Sequence, residues 1–532
     1  MQKHLGPILS FRGVDAANAW CVSALVVVDA ADAPDLNYTV GGTTSAATST
    51  VLYTFDGKKV VRFDLAVPIA AKTRAVSYAV AGGEYEFHVP ANGVPTELAY
   101  VSCNGFSTPA AVKTYQGRTN EERFDRWVHL LSRHNGRDEL SRKAAETNKG
   151  ARMHLLLMGG DQIYADQIFL RETTEIQKWA HGWHPFSDKK KQPFTAGMKA
   201  EAEGFYFDAY LKQWNNPYVR DALASVPTLM MWDDHDIFDG WGSYPEKLQG
   251  CEVYQGIYRA ARTCFQIFQR QVVPGKVAPG QLPAQPGFSW AFRLGALAII
   301  APDLRSERGG IQVASEATWD AVNAWLGKQK AAPPTHLLFL SSIPLIYPSL
   351  RNAEMLLSAI PGRQELEDDL ADHWTTRTHI EEQKRLIRWL FNFAVEANCR
   401  VTLLSGDVHV AASGRVVSHL PEHGRGYAAG MNQLISTGVL HPPPSGAEAF
   451  FIDHILSGPP PEMEAGIEAE MQLLPGTHSR LYPKRNWLSL SFYADVPHIW
   501  ARWWMEGENL EPLTKVIHAC EPGAADDEPL EK

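Results

Sequence analysis

The sequence lacks three features that would each have assigned it to a large class of proteins. No apolar run in its 532 residues approaches the length of about 20 residues that a membrane-spanning helix needs, so we predict no membrane span. It also has no surplus of positive charge, because 60 acidic residues outnumber 50 basic ones and the formal net charge is -10. This balance disfavours binding to a phosphate backbone, so we expect no nucleic-acid partner.

Cysteine is the third scarce feature. The chain has six cysteines, and no pair shows the spacing of a zinc knuckle or of a redox motif. So few cysteines in so long a chain do not suggest a disulfide scaffold, and we expect free thiols in a reducing compartment. The first ten residues do not combine a charged segment with an apolar core, as a signal peptide does. Together these features predict a cytoplasmic protein.

The first 95 residues differ from the rest of the chain in the pattern of their apolar residues. Short β-branched or aromatic runs, such as Trp20 to Val28 and Val60 to Leu65, are separated by clusters of Asp, Gly, Pro, Thr and Ser. This spacing, without a helical pattern, predicts a small N-terminal β-sandwich domain over residues 1–95. The small and polar residues 41–50 are predicted to form a loop. The sequence of this part shows no group of candidate catalytic or metal-binding residues, so we expect it to act as a lid or a docking module.

From residue 96 onward, apolar runs typical of strands alternate with helical patterns. A helical pattern that includes Ile387 and Leu390, for example, leads directly into the apolar run Val401 to Leu404. This alternation predicts an α/β domain over residues 96–520 with helical crossovers between strands. The acidic segment 521–532, which contains Pro and Ala, is predicted to be a disordered tail.

Three apolar runs in this second part end in ionisable residues, and this repetition carries the functional prediction. The three exits are Gly159-Gly160-Asp161-Gln162-Ile163-Tyr164, Asp233-Asp234-His235-Asp236 and Ser405-Gly406-Asp407-Val408-His409. Open α/β sheets bind their ligands at the carboxyl ends of the strands. We therefore expect these side chains to meet at one edge of a sheet.

The types of residue at the exits favour a metal site. Crowded carboxylates in a partly dry cleft are costly unless arginines or cations neutralise them. The neighbouring sequence supplies Tyr164, His235 and His409 rather than a matching set of arginines. Oxygen and imidazole groups suit divalent or trivalent ions, and Asp407 and His409 would point to the same face of an extended chain. One aspartate can bridge two ions, and a two-metal cleft can hold a hydroxide and clamp a phosphoryl group.

Several candidate residues also have purely structural explanations. Asp236 and Asp239 are compatible with a solvated acidic loop. Cys103 follows an apolar run, but a cysteine is more commonly a small buried apolar residue than a ligand. Arg305 and Arg308 are typical of surface ion pairs, although an arginine near metal ions would suit a phosphate. Taken jointly, the exits favour the metal site, because a run of ionisable residues directly after an apolar strand has no packing rationale.

In this order, the motifs resemble those of the PhoD-like branch of the calcineurin-type metallophosphoesterases. The matching segments are Ser102-Cys103, Gly160-Asp161-Gln162-Ile163-Tyr164, Trp232-Asp233-Asp234-His235-Asp236, Asp303-Leu304-Arg305, Leu370-Ala371-Asp372-His373-Trp374 and Ser405-Gly406-Asp407-Val408-His409. The resemblance extends firmly from about residue 95 to residue 440. It implies a four-layer αββα sandwich of the metallophosphatase type, preceded by the small N-terminal β-sandwich.

The resemblance also implies roles for individual residues. The implied ligands are Cys103, Asp161, Tyr164 and His409 at a first ion, with Asp161, Asp234 and Asp407 shared with or holding a second. Thiolate and phenolate would suit Fe(III) at the first ion, and oxygen ligands would suit Ca, Mn or Mg at the second. His235 would lie beside the leaving group as a general acid or as a stabiliser of developing charge, and Arg305 and Asn104 would contact the substrate.

We therefore predict a metal-dependent hydrolase of small phosphate monoesters or diesters, in which a hydroxide held by two metal ions attacks phosphorus. One departure is Asp239, which stands where the relatives often carry an asparagine and would change the charge at the second ion. Two alternatives stay open. The first is a glycoside hydrolase that uses a carboxylate pair without metal, with some of the 16 tryptophans as sugar platforms. The second is a non-catalytic binding protein that metal ions stabilise.

Overall fold

The computed structural model describes residues 1–137, 152–182, 189–347, 374, 379–423, 427–444, 462–493, 496–507 and 511–520. Within these ranges the chain forms a mixed α/β structure with three sheets. The predicted tail at 521–532 and residues 370–373 of the matching segments lie outside the described residues. No helix of the described residues has the length and apolar character that a bilayer crossing requires.

The largest sheet has ten strands and joins residues from both ends of the chain. In spatial order its strands are β23 (Leu513–Ile517), β22 (Val496–Met505), β21 (Asn486–Tyr493), β9 (Glu97–Val101), β10 (Leu155–Gly159), β11 (Thr228–Met231), β1 (Lys3–Val14), β2 (Ala19–Asp29), β6 (Lys58–Pro68) and β5 (Thr48–Phe55). Strands β9, β10 and β11 are parallel neighbours, so their carboxyl ends lie at one edge of the sheet. Cys103, Asp161 and Asp233 follow these three ends.

A second sheet has nine strands. Its order is β12 (Trp290–Leu294), β13 (Leu297–Ala301), β14 (His336–Ser341), β15 (Arg400–Ser405), β17 (Gly430–Ile435), β16 (Ala411–Ser418), β19 (Ile467–Gln472) and β18 (Glu462–Glu464), with β20 (Leu481–Tyr482) paired to β16. Strands β13, β14, β15 and β17 run parallel to one another. The segment that carries Asp407 and His409 follows β15.

The third sheet has four strands and belongs to the N-terminal part. Its order is β4 (Thr43–Ala46), β3 (Leu36–Val40), β7 (Arg74–Val80) and β8 (Gly83–Val89). The loop predicted at residues 41–50 is therefore wrong in part, because β4 and the start of β5 lie there. Threonine is a good strand former, and β4 is exposed, so no apolar alternation revealed it.

The N-terminal strands are bonded to the rest of the protein. Strand β1 pairs in parallel with β11 at Ser10 and Thr228, and Thr228 Oγ1 donates to Leu9 O at 2.7 Å. Strands β1, β2, β6 and β5 thus extend the ten-stranded sheet. The domain boundary at residue 95 remains a prediction.

Ten α-helices are described. They are α1 (Pro109–Lys113), α2 (Asn120–Arg123), α3 (Asp125–His134), α4 (Glu175–His181), α5 (Ala196–Gln213), α6 (Pro217–Ser225), α7 (Glu246–Gln249), α8 (Glu252–Phe268), α9 (Glu316–Gln329) and α10 (Ile380–Ala397). Side-chain caps begin several of them, as where Thr195 accepts from the N–H of Met198 at 3.0 Å at the start of α5. Helix α10 leads into β15, as the sequence predicted.

Three apolar cores hold these elements together. One core combines Leu157 of β10 with Ile299 of β13 and Leu338 of β14, so the inner faces of the two large sheets pack together. A second core packs α5 and α8 against the other face of β10. A third packs α9 and α10 against the outer face of the nine-stranded sheet. Because the parallel strands are covered on both faces, their functional residues are confined to the strand ends.

Candidate metal centre

The exits of the parallel strands contact one another through their backbones. Cys103 N–H donates to Gly160 O at 3.2 Å, and Gly406 N–H donates to Ser342 O at 3.1 Å. Glycine is required at 406 because a Cβ there would lie 2.6 Å from the Cβ of Ser102, closer than side chains tolerate. The two large sheets therefore bring their functional loops together at one place.

Four of the six predicted metal ligands have a left-handed backbone. The φ angles are 56° at Cys103, 54° at Asp161, 73° at Asp407 and 53° at His409. This conformation is uncommon for residues other than glycine and costs on the order of 1–3 kcal/mol each. Such residues cluster where the surrounding structure holds side chains for a function, so the backbone supports the site that the sequence predicted.

Three of the residues predicted to bind the first ion lie together, because Cys103 and Tyr164 both approach one carboxylate oxygen of Asp161. Cys103 Sγ lies 3.5 Å from Asp161 Oδ2, and Tyr164 Oη donates to the same oxygen at 3.4 Å. Cys103 Sγ is also 2.7 Å from Thr437 Oγ1. The other oxygen, Asp161 Oδ1, is buried and has no hydrogen-bond partner among the described residues. An unsatisfied buried oxygen requires an explanation, and a metal ion beside it would supply one.

The fourth predicted donor, His409, lies in a column of stacked rings. The ring centroids of His409 and His441 are 3.8 Å apart, those of His441 and Tyr164 are 5.5 Å apart, and those of Tyr164 and His235 are 4.4 Å apart. His409 Nδ1 is buried without a hydrogen-bond partner among the described residues. Burial also lowers the pKa of His409 well below its usual value, so its ring is neutral, which is the form that binds metals.

Two groups of acidic and imidazole side chains have the spacing of a metal site. In the first group, ligand atoms of Asp161, Asp234 and His235 lie within 4.8 Å of one another. In the second group, the same holds for Asp233, Asp234 and Asp407. Asp234 belongs to both groups, as a ligand shared by two ions would. Asp239 belongs to neither group within the described part of the chain.

Arg305 lies inside this cluster, fully buried. Its Nε donates to Asp233 Oδ1, its Nη2 donates to Asp234 Oδ1 at 3.3 Å, and its Nη1 donates to Trp241 O at 3.0 Å. Its interpretation as a surface ion-pair residue is wrong, because the junction of the two sheets encloses it, and Arg308 is buried as well.

Positively charged side chains lie beside part of this cluster. Arg305 pairs with Asp233 and Asp234, and a ring nitrogen of His235 lies within 4.8 Å of ligand atoms of Asp161 and Asp234. Arg305 is thus a cation that the sequence next to the exits did not supply. Burial raises the pKa of Asp161 well above its usual value, and the charges of Asp233 and Asp234 raise it further, against the effect of His235. The donor set therefore suits a bound cation.

The thiol of Cys103 and the phenol of Tyr164 also need a nearby positive charge to ionise. Burial raises the pKa of Cys103 and that of Tyr164 well above their usual values, and the charge of Asp161 adds to both shifts. Their anionic forms are therefore costly unless a positive charge lies beside them. A metal ion would make both groups effective ligands.

His235 has a partner that orients its ring. Its Nδ1 is 2.9 Å from Asp166 Oδ1, so the Nε2 atom is left to face the cluster. Burial alone would lower the pKa of His235, but the charges of Asp166, Asp234 and Asp161 outweigh it and raise the pKa well above its usual value. These charges favour the protonated ring, which is the form that is able to donate a proton.

Other predicted residues have structural contacts. Asp236 is buried and accepts from Gln162 N, Ile163 N and Gln269 Nε2 at 3.1, 3.2 and 2.8 Å, so the solvated-loop alternative is wrong for it. It ties the exit of β10 to that of β11. Asn104 Oδ1 accepts from Trp127 Nε1 at 2.9 Å, and Asn104 Nδ2 donates to Gln162 O at 3.4 Å.

Sequence reasoning missed three residues of the site. His441 stacks between His409 and Tyr164, Thr437 contacts Cys103 and Asp166 orients His235. His441 and Thr437 follow β17, the parallel neighbour of β15, which places them at the same edge. Strand β17 contains Asn432 and Gln433 and is not a continuous apolar run, so its exit lacked the signal that marked the acidic exits. No pattern of that kind marks Asp166 either.

A match to a protein family identifies the class of this protein. A family model described as PhoD related phosphatase matches residues 73–364 and 359–453. The chain therefore belongs to the family of PhoD-related phosphatases, and the resemblance inferred from the motifs is confirmed.

Two individual proteins are similar to this chain. The chain is 28% identical over 428 residues to the uncharacterized protein YGR266W of Saccharomyces cerevisiae, across 68% of this chain and 57% of that protein. It thus spans little more than half the length of this relative. The solved structure of PhoD matches with a TM-score of 0.56 and 13% identity, over 97% of this chain and 88% of that one. This likeness shows a shared α/β fold.

Proposed function

We propose that this protein hydrolyses a phosphate ester with the help of metal ions bound at the strand exits. The observation that carries the proposal is the pair of interlocking groups, Asp161 with Asp234 and His235, and Asp233 with Asp234 and Asp407, whose ligand atoms lie within 4.8 Å. Membership in the PhoD-related phosphatases favours a phosphoester over the glycosidase and binding-protein alternatives.

The proposed ligands divide between two ions. They are Cys103, Asp161, Tyr164 and His409 for the first ion, and Asp161, Asp234 and Asp407 for the second. The thiol and phenol suit Fe(III), and the oxygen ligands suit Ca, Mn or Mg. Bound ions would activate water and offset the charge of the phosphoryl oxygens. The left-handed backbone at four of these residues supports a preorganised site.

The chain's own residues supply the acid and its orientation. His235, held by Asp166 at 2.9 Å, is proposed to donate a proton to the oxygen of the leaving group. Arg305 and Asn104 were predicted to contact the substrate, but their donors are bonded to protein atoms. We propose instead that Arg305 holds Asp233 and Asp234 in position and that Asn104 anchors the loop after β9.

We also propose that the fold is a four-layer αββα sandwich, which the three apolar cores support. We further propose a cytoplasmic location.

The test is hydrolysis of 4-nitrophenyl phosphate and of bis(4-nitrophenyl) phosphate by Asp161→Ala and His235→Ala. Both variants are expected to lose at least about 10²-fold in kcat/KM, because each removes a group that acts on the reacting phosphate. Asp221→Ala, which changes an exposed aspartate of α6, is the matched control and is expected to keep full activity. Full activity of both site variants on both compounds would refute the proposed function.

A further inference from the structure

A cavity of about 890 Å³ opens beside the candidate metal centre, and we call it the side cavity. Asn104, Tyr164 and Leu440 contribute to its wall, so it adjoins the residues that surround the cluster. Gln213 of α5 joins the two places directly, because its side chain accepts from Tyr164 N at 2.9 Å and donates to Tyr164 O at 3.0 Å. A substrate whose phosphate lay at the metal centre would therefore have its organic part within reach of this cavity.

The lining of the side cavity is positively charged. Arg123, Arg171 and Lys212 contribute to it, against Asp208 as the one acidic side chain of the lining. None of the three cations forms an ion pair with a described residue. The chain as a whole carries a formal net charge of -10, so this excess of cations is local to the cavity.

Arg123 in particular has an unsatisfied donor. Its Nε is buried and has no hydrogen-bond partner among the described residues. The guanidinium of Arg123 lines the side cavity, and an anion bound to it there would form charge-assisted hydrogen bonds. The position therefore favours an anionic ligand.

The cations are carried on anchored elements. The buried side chain of Arg485 donates to the carbonyl oxygens of Arg123 and Glu122, the latter at 3.2 Å, and so fixes α2. Asn216, which follows Lys212 by four residues, donates from Nδ2 to Asn120 Oδ1 at 3.0 Å. The segments that present Arg123 and Lys212 are thus joined to each other, which preorganises the pair for one ligand.

Part of the remaining lining is apolar. Phe106, Phe124 and Phe205 line the side cavity together with Val112 and Leu211. A volume of this size is typical of sites for organic molecules and exceeds what inorganic phosphate needs. Aromatic and aliphatic walls suit a carbon scaffold between two anionic groups.

We propose that the side cavity binds the leaving-group part of the substrate, and that this part is an apolar or aromatic scaffold with a second anionic group, either a phosphate or a carboxylate. The proposal rests on the proposed function for the bond that is cleaved. Arg123 and Lys212 bind the second anion, and the phenylalanines contact the scaffold. A simple phosphate monoester has no group for these cations, so it binds more weakly.

The test measures binding by calorimetry with two probes that differ by one phosphate, adenosine 3′,5′-bisphosphate and adenosine 5′-monophosphate. The full chain is used with His235→Gln to suppress turnover. The bisphosphate is expected to bind about tenfold more tightly, the value of one charge-assisted hydrogen bond. In Arg123→Gln and in Lys212→Gln this preference is expected to fall at least about threefold. Lys199→Gln is the matched control, because Lys199 lies at the other end of α5, pairs with Glu203 and is expected to keep the preference.

Equal affinity for the two probes, no binding of either, or an unchanged preference in both Arg123→Gln and Lys212→Gln would overturn the proposal. Release of nitrophenol from 4-nitrophenyl phosphate by the wild-type protein, without a preference for the bisphosphate, would refute the side cavity and leave the proposed hydrolysis intact. A preference that depends on Arg123 and Lys212, in a protein that hydrolyses no phosphoester, would refute the hydrolysis and uphold the cavity as a site for organic polyanions.

Discussion

Two charged clusters in this protein differ in how their carboxylates are stabilised. The first is the strand-exit cluster, formed by Asp161, Asp233, Asp234, Asp407 and Arg305. The second, which we call the Arg485 cluster, is formed by Arg118, Asp125, Arg126, Arg485 and Glu506. In the second cluster, Arg485 Nη2 is 2.8 Å from Glu506 Oε1 and 2.8 Å from Asp125 Oδ1, and Arg118 and Arg126 add further ion pairs. Its three arginines outnumber its two carboxylates.

The pKa of one carboxylate in each cluster is shifted, and the two shifts run in opposite directions. Burial alone would raise the pKa of Glu506, but its hydrogen bonds and charge interactions with Arg485 and Arg118 lower it to about 2. At Asp161, burial and neighbouring carboxylates raise the pKa. Arginines favour the ionised form of Glu506, as in a structural charge network. Ionisation of Asp161 is unfavourable without a further positive charge, as in a candidate metal centre.

The largest effect is expected for activity in Asp161→Asn. The amide keeps the size of the side chain but removes a negative ligand, so kcat/KM on 4-nitrophenyl phosphate is expected to fall by at least about 10³-fold. Glu506→Gln makes the same chemical change in the Arg485 cluster and is expected to keep activity. Equal loss in the two variants would erase the distinction between the clusters.

The next effect concerns the orientation of the proposed acid. Asp166→Asn is expected to lower kcat by about 10-fold to 100-fold with KM unchanged, because the amide no longer holds the His235 ring as a carboxylate does. The free energy of unfolding should stay within about 0.5 kcal/mol of wild type, since Asp166 lies at the half-buried rim of the site. Asp166→Glu should restore part of kcat. A variant that loses stability and KM together with kcat would instead indicate a structural role.

A smaller effect is expected in the free energy of unfolding, and here the order of the two variants is reversed, with Glu506→Gln the more damaging. Glu506→Gln removes a partner of the fully buried Arg485 and is expected to lower the free energy of unfolding by about 2–3 kcal/mol. Asp161→Asn removes a carboxylate whose ionisation is unfavourable, so in a chelating buffer it is expected to leave that free energy unchanged or to raise it. Denaturant titrations of both variants and of wild type measure this. The comparison fails if Asp161→Asn is the more destabilising of the two.

The smallest effect is expected in the dependence of stability on pH. The pKa of Glu506 is about 2 in the folded protein and 4.5 in its reference state, so its contribution is present above pH 4.5 and is lost as the pH falls toward 2. The difference in stability between wild type and Glu506→Gln should therefore shrink across this window. A difference that stays constant from pH 6 to pH 3 would contradict the assigned pairing with Arg485.

The sequence predicted the elements that place the site. The apolar runs before Cys103, Asp161, Asp233 and Asp407 are the strands β9, β10, β11 and β15, because buried parallel strands are continuous apolar runs closed by glycine or acidic residues. The family and its mixed α/β fold are confirmed. The roles of the individual ligands stay predictions.

Contacts between distant segments could not be predicted. The pairing of Arg305 with Asp233 joins positions 72 residues apart and depends on the packing of two sheets. The stacking of His441 on His409 depends likewise on the pairing of β17 with β15. The exposed strand β4 had no apolar periodicity to reveal it. Local pattern therefore predicts which residues stand at strand ends, and the packing of the sheets decides their partners.

The most direct test is elemental analysis by mass spectrometry of the purified wild-type protein beside Asp161→Asn and Glu506→Gln. Two metal ions per chain are expected in wild type and in Glu506→Gln, with one of them iron, and a marked loss in Asp161→Asn. A wild-type protein that hydrolyses phosphoesters without bound metal, or an Asp161→Asn variant with the full metal content, would contradict the account.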